Sequence, residues 1–175
     1  MNVPKQFEWV AKLGSPKLVM FAITLYGTCE RLPDGSDNPM LLRWAKICGL
    51  KDYTRTSIPW CGLFMAYVCK MVGWPVPEWP LGAVNWLKFG RKVSVAMFGD
   101  VLVFKRPGGH HVGIYIGKDA LFYYVLAGNQ GDKVCILRVA RKRCIGIRRP
   151  PYEIQPNTVV VRKLDGGVPV STNEG

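Results

Sequence analysis

After Met97 the sequence changes its period. GDVLVFKR (99–106), HVGIYIG (111–117), LFYYVLAG (121–128), KVCILRVA (133–140) and CIGIRR (144–149) are runs rich in β-branched and aromatic residues, the composition of strands. Pro107-Gly108-Gly109, Gly117-Lys118-Asp119 and Gly131-Asp132 punctuate them. Turns this short join antiparallel neighbours, because a parallel pair needs a crossover of a dozen or more residues. The second half of the chain is thereby restricted to an antiparallel meander of about five strands.

The first half reads as helices. A short helix is expected over 4–12, carrying Phe7, Trp9 and Val10. A stronger one opens at Pro16, with Leu18, Phe21, Ala22, Leu25 and Tyr26 at helical spacing. Asn38 is placed to cap a third helix with Pro39 in its first position, and Gly49 to end it. The run 74–80, WPVPEWP, holds three prolines and is extended; Trp74 and Trp79 either line a groove or cover the edge of the core. A short helix follows with Ala83, Val84, Trp86 and Leu87. Helices first and a sheet second make an α+β domain. We expect one domain over 1–150, and a C-terminal extension or loose tail over 151–175 with an added strand at 158–162.

The fourth helix carries the chemistry. Pro59 cannot sit inside a helix, so the apolar run after it starts near Trp60 and places the Cys61 thiol in the first turn. Unpaired backbone N–H groups and the positive dipole end there favour a thiolate. Cys69, two turns further on, gains none of this. Leu63, Ala66, Tyr67 and Met71 fall on one side of this helix.

A nucleophilic thiol needs a base, and the chain holds two histidines, His110 and His111. Strand alternation puts His111, Gly113 and Tyr115 on one face and His110, Val112, Ile114 and Ile116 on the other. Gly113 beside His111 would let the Cys61 helix approach closely. In a hairpin, Asn129 or Gln130 returns beside His111, where an amide oxygen can orient an imidazole; turn formation explains the same residues equally well. Asp100 reads as a turn residue.

The formal net charge is +12 and the sequence pI about 9.6, a balance that suits an anionic partner. The six cysteines form no C-x-x-C pair and read as reduced thiols. Two adjacent histidines give no zinc-finger spacing. The N-terminus lacks the apolar core of a signal peptide, and 17–29 is too short to span a bilayer.

Taken in order, Pro59-Trp60-Cys61, Gly99-Asp100-Val101-Leu102-Val103-Phe104, Gly109-His110-His111-Val112-Gly113-Ile114-Tyr115-Ile116-Gly117, Gly128-Asn129-Gln130 and Ile145-Gly146-Ile147-Arg148-Arg149-Pro150 resemble the NlpC-like and CHAP-like cysteine hydrolases of the papain fold. The resemblance spans 16–150. It implies peptidoglycan as substrate, cut at stem peptides or at the stem–glycan amide, as in phage endolysins and related bacteriolytic enzymes. It also implies Cys61 as nucleophile, His111 as base and Asn129 as the third polar residue, with Gln130 the alternative. His110 stands where glycine is more usual, and Ser57-Ile58 where an acidic residue is common. Trp60, His110 and Gln130 are carried as possible substrate or oxyanion groups, and the Cys61 N–H as an oxyanion donor.

The resulting expectation is a monomeric cysteine peptidase or amidase, without metal or organic cofactor. It would be made in the cytoplasm and act on the wall after release or assisted export, with no nucleic-acid partner. The rivals are a non-catalytic basic protein binding cell wall or nucleic acid, and an acyltransferase using the same cysteine and histidine.

Overall fold

A computed structural model describes residues 3–171. The helices are α1 (Glu8–Lys12), α2 (Lys17–Thr24), α3 (Pro39–Cys48) and α4 (Cys61–Met71). The strands are β1 (Arg91–Lys92), β2 (Val101–Arg106), β3 (Gly109–Lys118), β4 (Phe122–Ala127), β5 (Cys135–Ala140) and β6 (Cys144–Arg149). The order is that of an α+β protein with an antiparallel sheet.

Local signals set several boundaries. Asn38 accepts a hydrogen bond from the Met40 N–H and Pro39 opens α3, which stops at left-handed Gly49. Pro16 lies one place outside its helix: its extended backbone makes it the N-cap of α2. The helix expected at 83–90 is a 3-10 segment, Ala83–Lys88. α4 begins at Cys61 and is buried on nearly every side rather than along one stripe. Met71, expected on the buried side, is 48% exposed. Trp44 of α3 stacks on Tyr67 of α4 at 4.9 Å, and leans against Trp60 and Phe64.

The sheet is more than a meander. Its order is β1-β6-β2-β3-β4-β5, so β6 returns beside β2 instead of extending the far edge. Only Arg141–Arg143 join β5 to β6. A flat sheet would separate those two strands by four spacings, about 19 Å, and a 3-10 turn of that length covers roughly 8 Å. The sheet must therefore curl until its β5 edge approaches β6. Arg143 Nε reaches across to the Lys105 carbonyl of β2 at 3.0 Å.

Curling gives the sheet two apolar faces. Val101, Val103, Val112, Ile114, Ile116 and Leu126 pack with the helices. Leu102, Phe104, Tyr115, Val125, Ala127 and Val139 fill the inside of the curl. Asp100, fully buried, closes the base of β2: its carboxylate accepts Arg149 Nε at 3.0 Å, Arg149 Nη2 at 2.9 Å and the Met97 N–H at 2.8 Å. Burial pushes the Asp100 carboxyl up, against the opposing pull of the guanidinium.

The segment after Pro150 is not a loose tail over its described part, and 158–162 adds no strand. It straps the outside of the domain through single bridges, Lys118 to Lys163 and Arg138 to Val170. The Tyr115 and Tyr124 hydroxyls donate to the Arg162 and Gly166 carbonyls. These bonds explain the packing: the strap satisfies sheet-edge and phenol groups that would otherwise compete for water. Among the described residues no helix is long and apolar enough to cross a membrane.

Candidate active site

The nucleophile candidate sits where the sheet splits. Tyr115 exchanges backbone bonds with Gly99 and Asp100 on the β2 side. Alternation along β3 therefore turns the Val112 N–H toward the opposite flank, the β4 side. The last β3–β4 pair at this end is Ile114 with Leu126; beyond it β4 leaves. Into that gap comes the first turn of α4, which brings the Cys61 thiol close enough to the Val112 N–H for that group to favour the thiolate. Gly128 makes room for it. A Cβ there would meet the Trp60 ring at 2.6 Å and Phe64 Cβ at 2.8 Å. Gly113, by contrast, gives room to β4 rather than to α4: its missing Cβ would meet Ala127 Cβ at 2.7 Å.

His111 immediately precedes Val112 in β3. It is fully buried, pairs with Phe104 across the β2–β3 ladder and lies with its ring 6.5 Å from the Phe104 ring. The thiol thus lies near the β3 residue that follows His111, while His111 itself stands beside Phe104. β4 ends at Ala127, two residues before Asn129. Asn129 is 3% exposed and takes a left-handed backbone, φ 58°, which asparagine tolerates better than most residues.

The remaining candidates fall elsewhere. Gln130 is buried, and its Nε2 donates to the Val125 and Cys135 carbonyls at 3.1 and 2.8 Å; its amide ties the β4–β5 turn. Trp60 is fully buried, and its indole N–H donates to Glu30 Oε2 at 3.1 Å, so its ring belongs to the core. His110 is half-buried, and its carbonyl accepts from Arg106 Nε at 3.3 Å.

The thiol's ionisation differs from the simple helix-end expectation. Burial pushes Cys61 up; the N–H groups of Val112 and Gly62 and the charge of Arg106 pull it down without prevailing. Cys61 is 2% exposed, and desolvation of a thiolate outweighs a single helix terminus. A neutral thiol beside an imidazole can be deprotonated as it attacks. Arg106 is the charged neighbour of the thiol that the sequence does not single out. It is one of many scattered basic residues, and only the β2–β3 hairpin brings its charge to the thiol. Cys69, fully buried inside α4, has its thiol pushed up strongly by burial. All six cysteines are free. Among the described residues no three His, Cys, Asp or Glu side chains gather as a metal site would require.

No protein-family model matches the chain, and a search of curated proteins finds no significant match.

Proposed function

We propose that the protein is a cysteine hydrolase of the papain-like, NlpC or CHAP kind that cleaves peptide or amide bonds of bacterial peptidoglycan. One observation carries the reading: Cys61, at the start of a buried helix, comes close to β3 at Val112, the residue after His111. His111 takes the Cys61 proton as the sulfur attacks the carbonyl. The Cys61 N–H faces the developing oxyanion. The tetrahedral intermediate collapses to a thioester as His111 protonates the leaving amine. His111 then activates water, which releases the acyl group and restores the thiol. Asn129 orients the imidazole, and Arg106 favours the thiolate form by its charge. The enzyme works as a monomer, reaching the wall after release or assisted export.

A second reading has one observation behind it. A cavity of about 480 Å³ is lined by Lys105, Arg106, Lys142 and Arg143, as an anionic polymer would require of a binding protein. Hydrolysis of purified walls separates the two. Cys61→Ala abolishes fragment release, measured by mass spectrometry, and iodoacetamide does the same while EDTA does not. A folded Cys61→Ala protein keeping more than a few per cent of turnover refutes the hydrolase.

A further inference from the structure

A second cavity lies between the turn after α3 and the 79–85 segment, whose Pro80 and Leu81 carbonyls pack on Gly62 of the nucleophile's helix. It has a volume of about 570 Å³, and Lys51, Asp52, Trp79, Leu81 and Asn85 are among its walls. Trp79 is 74% exposed, although tryptophan is among the side chains with most to gain from burial. Its neighbours in the sequence behave differently: Trp86 is fully buried, with its indole N–H donating to the Pro80 carbonyl at 2.9 Å, and Trp74 rests edge-on against Tyr152.

The backbone that carries the exposed ring is held in place. Trp79 has a left-handed backbone, φ 54°, a conformation costly for any residue but glycine and rarely kept without a reason. Its carbonyl accepts from Asn85 Nδ2 at 2.9 Å and from the Gly82 N–H at 3.1 Å. Pro75, Pro77 and Pro80 stiffen the segment around it, so little freedom is left to lose when a ligand docks. The loop is also fixed relative to the thiol. A Cβ on Gly62, the residue after Cys61, would meet the Pro80 carbonyl oxygen, and the Leu81 carbonyl oxygen at 2.6 Å.

We propose that this cavity binds a pyranose of a glycan strand, stacked on Trp79, with the hydrogen-bonding groups of Lys51 and Asp52 toward its hydroxyls and acetamido group. An exposed aromatic face beside a few convergent polar groups suits a flat ring with one apolar side. One cation and one anion line the cavity, so it favours a neutral ligand, in contrast to the basic cavity at Lys105 and Arg106. The identity of the strand as peptidoglycan rests on the proposed function; the sugar site itself does not.

The test titrates full-length Cys61→Ala protein with tri-N-acetylchitotriose and follows tryptophan fluorescence. A saturable blue shift is expected as the exposed indole is covered. Trp79→Ala should bind at least tenfold more weakly, Trp79→Tyr should recover most of the affinity, and Leu121→Ala, which removes another side chain 70% exposed, should bind as the parent does. Thermal melting checks that each variant is folded. No saturable shift, equal binding by Trp79→Ala, or titration by a proline-rich peptide in place of the sugar overturns the proposal. Because the parent lacks the nucleophile, sugar binding without wall hydrolysis by the wild type removes the hydrolase and keeps the sugar site. Wall hydrolysis without sugar binding does the reverse.

Discussion

Gly62→Ala sets two effects of opposite sign against each other. In an exposed helix, replacing glycine by alanine gains about 1 kcal/mol from backbone entropy and propensity. At Gly62 the added methyl would overlap two backbone carbonyl oxygens, those of Pro80 and Leu81. Backbone cannot rotate aside as a side chain would, so the 80–82 loop must retreat. Overpacking of this kind costs about 1–3 kcal/mol. Retreat also draws the Pro80 carbonyl away from the buried Trp86 indole N–H, now 2.9 Å distant, and an unsatisfied buried donor costs roughly 1–3 kcal/mol more. Losses of about 2–6 kcal/mol against a gain of about 1 leave a net destabilisation of about 1–5 kcal/mol. For a chain of this size that lowers Tm by roughly 2–4 °C per kcal/mol. Urea and thermal unfolding measure it directly. Trp86→Phe should cost less in the Gly62→Ala background than in the wild type, because the indole bond is already weakened. An unchanged or raised Tm for Gly62→Ala, with additive effects in the double variant, refutes the argument that the loop is seated hard against the nucleophile's helix.

The adjacent histidines should separate in assay: His111→Ala loses at least ~10²-fold in wall turnover, the scale of a missing general base, and slows Cys61 alkylation near neutral pH, whereas His110→Ala stays within a few-fold; the opposite ranking would mean that the β3 register assigns the base wrongly. Stability should fall on the alkaline side. Burial holds the Cys48 and Cys135 thiols up to about 11, while an unfolded thiol titrates near ~8.5. Between those values the unfolded chain binds fewer protons than the folded one, so unfolding becomes easier as pH rises; a urea midpoint that increases from pH 8 to pH 10.5 would contradict this. Asp100→Asn leaves the Arg149 guanidinium, 7% exposed, without its counter-charge and should cost about 3–5 kcal/mol; a loss below ~1 kcal/mol in urea unfolding would show that the pair contributes little to stability.

Much of the framework is legible because single residues announce it. Asn38 and Pro39 mark a helix start by capping chemistry, Gly49 marks its end by a left-handed backbone, and Pro59 fixes where α4 can begin. The strands between 101 and 149 are legible from composition and short turns. What alternation and turn length do not reveal is closure: the return of β6 to β2 depends on how far the whole sheet curls, a property of no single strand. The 151–171 strap was hidden for a related reason. Its polar, proline-rich composition resembles that of a free tail, and the hydrogen bonds that dock it go to groups far back in the chain, such as the Tyr115 and Tyr124 hydroxyls. In the site, Cys61 and His111 stood out as residue types in a suggestive order. The direction of the thiol's ionisation did not, since it depends on burial that only the packed helix supplies. Arg106 is ordinary in the sequence and becomes distinctive only through its position, whereas Trp79 is marked by its prolines and only its exposure decides between groove and core edge.

The strap ties the two ends of the fold together. Gln6 Nε2 donates to the Gly167 carbonyl at 2.6 Å, 161 positions away, and Thr158 Oγ1 donates to the Ser15 carbonyl at 3.0 Å. Synthesis at about 5–20 residues per second takes roughly 9–35 s for a chain of 175 residues, and for most of that time the first helices have no strap to close on. Such long-range closure slows folding, because loop entropy is lost before the contacts that repay it are made. Until the strap is made, Gln6 and Ser15 lack the partners that it supplies. The thiol cannot reach its finished setting until β3 and β4 have emerged to receive it.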